Sequence, residues 1–176
     1  EAKQRAGEAY LPETHLIPRI FQSFLEGKSV EVFGTDYPTT DGTCVRDYIH
    51  VADIAETHEK AMLKLLKLPA TQAGCFWDYN LGTEKGYSVQ QILTAAEKII
   101  GSPIATVVHA RRSGDVPTLI ADSTKAKKEL DYQPQSSSTA LDLILSSAWQ
   151  WQKKLHAIRG PAEKVIFLDR DGTLNV

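Results

Sequence analysis

Apolar residues recur at helical spacing in several stretches of the chain. Leu16, Ile17, Ile20, Phe21, Phe24 and Leu25 share one face, which predicts a core helix capped by Thr14 and stopped by Gly27. Ile54, Ala55, Met62, Leu65 and Leu66 form a second stripe, expected to be buried, with Asp53 and Glu56 in the first turn where the helix dipole favours negative charge. A third helix runs from Val89 to Ile100, its face made by Val89, Ile92, Leu93, Ala96, Ile99 and Ile100, with Ser88 as its cap and Gly101 at its end. Ser123 to Leu130 predicts a short helix. Thr139 to Lys154 predicts a longer one, with Leu141, Ile144, Leu145, Ala148 and Trp149 facing the core.

Between these lie extended stretches. Glu31, Val32 and Phe33 read as a strand, Gly34 to Gly42 as a turn-dense loop, and Thr43 to Val51 as a return to extended structure. Cys75 to Leu81 is rich in aromatics and predicts a strand that turns through Gly82 to Tyr87 into the third helix, a βα unit. Ile104 to His109 predicts another strand. Residues 1–13 and 68–74 and the serines around 136–138 read as loops. Strands alternating with helices predict an α/β fold.

The bulk numbers add limits. A chain of 176 residues, 42% hydrophobic and 24% charged, is long enough for one globular domain with a core. A net charge of −2 gives no broad attraction for nucleic acid or anionic membrane, so any anion site has to be local. No apolar run approaches a membrane span and EAKQRAGEAY has no hydrophobic signal core, so a cytoplasmic enzyme is the simplest expectation. Cys44 and Cys75 lie far apart without CxxC spacing and read as reduced. His50 and His58 lack a third ligand at usual spacing and do not suggest a metal.

Two places carry chemistry that would suit a nucleotide. Arg46 offers a planar guanidinium for phosphate oxygens, or else simply pairs with Asp36, Asp41 or Asp47. The loop ARRSGDVP, residues 110–117, combines adjacent arginines with Gly114 and Asp115. One arginine there can grip phosphate while the carboxylate accepts from ribose hydroxyls, or the set is a solvated turn with an internal ion pair.

The run DGTCVRDYIHVADIAETH, continued by YNLGT at 79–83 and RRSGDVP at 111–117, closely resembles UDP-glucose 4-epimerases, NAD-dependent members of the extended short-chain dehydrogenase class. The resemblance covers about residues 8 to 152 and implies the carboxyl-terminal, substrate-binding part of a Rossmann-type fold. It implies contacts to a UDP-sugar by His15, Leu16, Glu31, Val32, Phe33, Arg46, Arg112, Ser113, Gly114 and Asp115. Where some epimerases close the sugar pocket with a tyrosine this chain has Leu119, which suggests room for an N-acetyl group. The glycine-rich dinucleotide loop and the YxxxK base are absent from the 176 residues, so NAD and the epimerase catalytic residues are expected upstream. So are the partner strands of residues 75–81 and most of the helices of a possible homodimer.

Gln152 to Glu163 reads as a linker after the domain of residues 1–152. Residues 164–176, KVIFLDRDGTLNV, are an apolar strand delivering two carboxylates into a Gly-Thr turn. DRDGTLN resembles the first motif of haloacid-dehalogenase-like phosphatases of the histidinol-phosphate and heptose-bisphosphate branch. That resemblance implies Asp169 as nucleophile and Asp171 as acid–base residue, both with Mg²⁺. The expectation is the truncated first strand of a second α/β domain in a longer chain.

Overall fold

The structure, a computed structural model, describes residues 7–9, 11–69, 74, 76–134, 140–158, 167–168 and 174–175. Helix α1, Leu16–Leu25, buries Ile17, Ile20 and Phe21, as its periodicity demands. Its N-cap is His15, not Thr14, and no side chain caps it; the Glu13 carboxylate accepts the N–H groups of Thr14 and His15, at 2.9 and 2.8 Å, and fixes the chain as it enters the helix. Pro18 sits in the first turn, where a missing N–H costs nothing.

Strand β1, Val30–Phe33, alternates inward Val30 and Val32 with outward Glu31. Strand β2 is only Val45–Asp47, shorter than the extended run expected from Thr43 to Val51. His50 becomes the N-cap of α2, Val51–Leu66, its imidazole accepting the Ala52 N–H. Strand β3, Gly86–Ser88, leads directly into α3, Val89–Ile100, where Ser88 and Gln91 form a reciprocal capping box and Gly101 closes the helix in the left-handed region. Then follow β4, Thr106–His109, β5, Thr118–Leu119, α4, Thr124–Leu130, and α5, Ala140–Ile158.

The core is a helical layer on a small sheet. Ile20, Phe21, Ile92, Leu93, Ala96 and Leu145 from α1, α3 and α5 close over Val30 and Val32 of β1. Each of the larger side chains contributes about 1.5–3 kcal/mol through removal from water, and Ala96 less. Trp149 packs against Phe21 and Phe24 at ring separations of 5.3 and 6.0 Å, the core role its spacing implies. β1 pairs in parallel with β4, Phe33 opposite His109, and β2 lies between antiparallel β3 and parallel β5, Arg46 opposite Leu119.

Two expectations fail here for one reason. Residues 76–81 form no strand with any of the described residues, and of the apolar stripe of α2 only Ile54 is half-buried, while Ala55, Met62, Leu65 and Leu66 face outward. A strand needs a neighbour and an apolar helix face needs a cover. Neither is supplied by the described residues. Near the end, Phe167–Leu168 pairs antiparallel with Leu174–Asn175; Asp169 and Asp171, between them, lie outside the described residues, as does Cys75.

Candidate functional site

β1 and β4 run side by side and end together, so the loops that leave their carboxyl ends rise from one place. That is where ligands settle in open α/β sheets. The Phe33 ring stacks on the His109 imidazole with centroids 5.2 Å apart, and the Arg112 guanidinium lies 4.7 Å over the other partner of that stack, the Phe33 ring. Arg112 Nε is 2.9 Å from Asp115 Oδ2.

Arg46 arrives from β2. Its guanidinium donates to the Val116 and Val45 carbonyls, both at 2.8 Å, and reaches Asp115 Oδ1 at 3.5 Å. Its acidic partner is therefore Asp115, none of the three aspartates nearer in sequence. One carboxylate thus lies between two arginines, Arg46 and Arg112. A phosphate oxygen would suit the same place, since planar guanidinium groups bind it in the same fork geometry.

The loop of residues 34–42 is fixed to this cluster by Arg111, which sequence reasoning did not single out. Arg111 Nε pairs with Asp36 Oδ1 at 2.7 Å, the guanidinium also donates to the Asp36 carbonyl, and it lies 4.3 Å over the Tyr37 ring. The hydrogen bond from Arg111 holds the Asp36 carboxyl below its usual range. Gly42 closes the loop with φ of +80°, and a Cβ there would lie 2.0 Å from the Thr35 carbonyl oxygen. At the loop's far end Asp41 meets the Ser88 hydroxyl. Burial alone would raise the Asp41 carboxyl, but hydrogen bonds from Ser88 and Thr43 outweigh it and leave the group lowered.

The remaining expected contacts divide. Glu31 faces outward, bonded to Arg19 at 2.8 Å and 3.5 Å from His109, so α1 is tied to the same strand end. Val32 is buried in the core, which leaves only its backbone for a ligand. His15 is exposed at the N-terminus of α1, where free N–H groups favour an anion, and Leu16 packs against the core. Ser113 and Gly114 form the exposed tip of the arginine loop, and Leu119 is 61% exposed beside Arg46. Arg111 and Asp36 could have been found only from the parallel register that brings Phe33 beside His109.

Metal chemistry finds little here. His50 caps α2 and meets the Ser147 hydroxyl at 3.3 Å, and His58 Nδ1 bonds the Ile54 carbonyl. Glu8, Glu13 and His15 place ligand atoms within 4.8 Å of one another, but they are already joined by hydrogen bonds, His15 Nδ1 lying 2.8 and 3.2 Å from the two carboxylates. No helix among the described residues is long and apolar enough to cross a membrane.

With this geometry in place, residues 5–82 match the NAD dependent epimerase/dehydratase family, and the chain has the mixed α/β fold of that class of enzyme. More particularly, it is homologous to UDP-glucose 4-epimerases over most of its length. It is 42% identical over 151 residues to the UDP-glucose 4-epimerase of Halalkalibacterium halodurans, a match covering 85% of this chain and 43% of that protein. The crystal structure of the Stenotrophomonas maltophila enzyme with bound NAD and formylated UDP-arabinopyranose superposes with a TM-score of 0.78 at 34% identity, covering 89% of this chain and 45% of the other. That of Bifidobacterium longum in complex with NAD⁺ and UDP gives 0.76 at 35% identity, covering 88% and 44%. The chain spans less than half the length of these relatives.

Proposed function

We propose that this chain supplies the UDP-sugar-binding half of an NAD-dependent UDP-glucose 4-epimerase. The observation that carries it is the convergence of Arg46, Arg112 and Asp115 at the paired ends of β1 and β4. In this reading the diphosphate takes the place of the Asp115 carboxylate between the arginines, and Asp115 turns to the ribose hydroxyls. The head of α1, where the Leu16 and Ile17 N–H groups follow His15, adds donors to the same anion. Phe33 and the backbone of Glu31 and Val32 form the wall against the base, and the loop of Ser113 and Gly114 closes over it.

The 176 residues hold neither a G-x-G-x-x-G run nor YxxxK, so they do not fit an NAD pocket. The part of this chain is to bind and orient the sugar nucleotide. A protein assembled from both halves acts as an isomerase in the cytoplasm, and the helices for a homodimer contact lie mostly outside this chain. Leu119, exposed beside Arg46, leaves the sugar site open on that side, and tolerance of an N-acetylated sugar follows. Competition between acetylated and plain UDP-hexoses for the complete protein tests that point, and strict exclusion of the acetylated sugar refutes it.

Conversion of UDP-galactose to UDP-glucose by the complete chain, with Arg112→Ala beside it, tests the main proposal. Turnover reduced about 10²-fold in the variant is expected from loss of a charge-assisted bidentate contact. No turnover in a folded, NAD-loaded parent refutes it. A second reading concerns the end of the chain, where DRDGT falls in sequence between the paired residues 167–168 and 174–175 and lies outside the described residues. On that reading Asp169 and Asp171 begin an Mg²⁺-dependent phosphatase domain, and phosphate release from a sugar phosphate by the complete chain, lost in Asp169→Asn, is its test.

A further inference from the structure

Tyr37 is 4% exposed, and its buried hydroxyl has no hydrogen-bond partner among the described residues. A phenol taken out of water gives up its bonds to the solvent, and here nothing replaces them. Phenylalanine would fill the same space without that loss.

The ring is held firmly. The Arg111 guanidinium lies 4.3 Å over it and is itself anchored on Asp36. Gly34 comes so near that a Cβ there would lie 2.5 Å from Tyr37 Cε2 and 2.8 Å from Arg111 Cγ, and its φ of +78° suits glycine in any case. The Tyr37 N–H donates to the Gly42 carbonyl at 2.9 Å, which closes the turn behind the ring. A fixed ring holds its hydroxyl in one place.

That place adjoins the arginine cluster. The Val45 N–H donates to the Pro117 carbonyl and Arg46 to the Val116 carbonyl, both at 2.8 Å, so the end of the arginine loop runs beside the segment that follows the Tyr37 loop. Burial raises the pKa of the phenol, the Cys44 thiol and the Asp115 carboxylate add to the rise, and Arg111 opposes it. The phenol therefore keeps its proton through the neutral range and is a donor facing the field of Asp115.

Asp115 has the complementary need. Its side chain is only 19% exposed, and its carboxylate is held by Arg46 and Arg112. A diphosphate that takes both guanidinium groups leaves this carboxylate largely buried without its cations, a costly state unless other donors meet it. Ribose hydroxyls can donate to one oxygen, which leaves the other for a donor from the protein.

We propose that Tyr37 is a positioning residue for nucleotide binding, its hydroxyl donating to the Asp115 carboxylate once the diphosphate has displaced that carboxylate from the arginines, and so holding it toward the ribose. The proposal rests on the nucleotide reading given above. One group is unsatisfied in the free protein and another would be unsatisfied in the complex, and a single hydrogen bond between them satisfies both.

Tyr37→Phe in the complete protein tests it, with calorimetric titration of UDP and of 2′,3′-dideoxy-UDP and with the thermal midpoint measured without nucleotide. Removal of an unpartnered hydroxyl is expected to leave that midpoint level or raised. UDP binding is expected to weaken about tenfold, the scale of one hydrogen bond to a charged group. The preference for UDP over its dideoxy analogue is expected to shrink as well, because Asp115 is no longer held toward the ribose. Equal UDP affinity in the variant and in a parent that binds UDP overturns the proposal and leaves the nucleotide reading standing. Weaker binding with a lowered midpoint and an unchanged ribose preference makes Tyr37 a packing residue, which also overturns it. A folded parent that binds no UDP removes the nucleotide reading and this proposal with it.

Discussion

Arg46 and Asp47 are neighbours on one three-residue strand, and they stand in opposite kinds of surroundings. Successive strand residues point to opposite faces. On one face the Asp47 carboxylate accepts from the Thr83 N–H and hydroxyl at 2.9 and 2.6 Å, from the Glu84 N–H at 3.0 Å and from the Ala121 N–H at 3.4 Å. Backbone from two distant loops has folded around one charge and used its lone pairs. On the other face Arg46 meets the Asp115 carboxylate at 3.5 Å, and that carboxylate is shared with Arg112. A charge saturated by backbone donors holds the scaffold, whereas charges facing each other at an open strand end are exchangeable for a ligand.

The sharpest way to break this comparison is to remove each charge. Asp47→Ala strands several N–H groups and is expected to cost about 3 kcal/mol, given that a hydrogen bond to a charged group is worth about 1.5–3 kcal/mol. Arg46→Ala gives up its bonds to the Val45 and Val116 carbonyls and is expected to cost about 1–2 kcal/mol, less than Asp47→Ala, while weakening UDP binding about 10²-fold. Denaturant unfolding and calorimetric UDP titration of both variants, in the complete protein, give the four numbers. A stable Asp47→Ala that has lost UDP would reverse the assignment.

Gly82 sharpens the scaffold side. A Cβ there would lie 2.3 Å from Asp47 Oδ2 and 2.6 Å from the Ala121 Cβ. The Gly82 carbonyl also accepts from the Ser123 and Tyr132 hydroxyls at 3.0 and 2.9 Å, and burial pushes the Tyr132 phenol up to about 12. Gly82→Ala must therefore displace a carboxylate that is already fully bonded. The expected loss is about 2 kcal/mol, the usual scale of overpacking, with UDP affinity unchanged once the protein is folded.

These two faces also show what can be read from a sequence. The stripes of α1 and α3, the Ser88 cap and the Gly101 stop were legible, because they are local: spacing and capping act within a few residues. The grouping of Arg112 with Asp115 was legible for the same reason, three residues being one turn of a loop. The partner of Arg46 was not, since Asp115 lies 69 residues away and reaches it only through the pairing of β2 with β5. The stripe of α2 was legible as a stripe, but its direction was not. Periodicity states that a helix has an apolar face and leaves open which body covers it.

His50 gives a smaller effect with a definite pH sign. Its Nδ1 accepts the Ala52 N–H, which requires neutral imidazole, and burial lowers its pKa from the ordinary value. The folded state therefore binds the proton more weakly than the unfolded chain. The contribution is present above the unfolded pKa of about 6.5 and is lost as pH falls below it. Between roughly pH 7.5 and 5.5 the start of α2 is expected to lose up to about 1 kcal/mol, the usual worth of an N-cap. Hydrogen exchange at Ala52 to Ile54 reads this directly. His50→Asn keeps a capping acceptor that does not titrate, and its exchange rates, corrected for intrinsic pH dependence, are expected to stay level across that window.

The smallest expected effect lies at the Arg111 to Asp36 pair, and it separates loop order from stability. Both side chains are well exposed, at 44% and 74%, so the pair is screened and its removal should barely move the thermal midpoint. Its effect belongs to the loop of residues 34–42, which the pair and the Tyr37 stack hold against the arginine loop. Asp36→Asn is expected to weaken UDP binding about threefold, more at low salt than at high, as a screened ion pair requires. Asp36 titrates below its ordinary range, so in the parent this contribution is constant above about pH 4 and fades only as pH falls further. Equal UDP affinity in parent and variant at low salt would show that the loop keeps its place through Gly42 and the Asp41 to Ser88 contact alone. The open face of β2 would then owe its order to the same backbone-saturated kind of anchoring as the closed one.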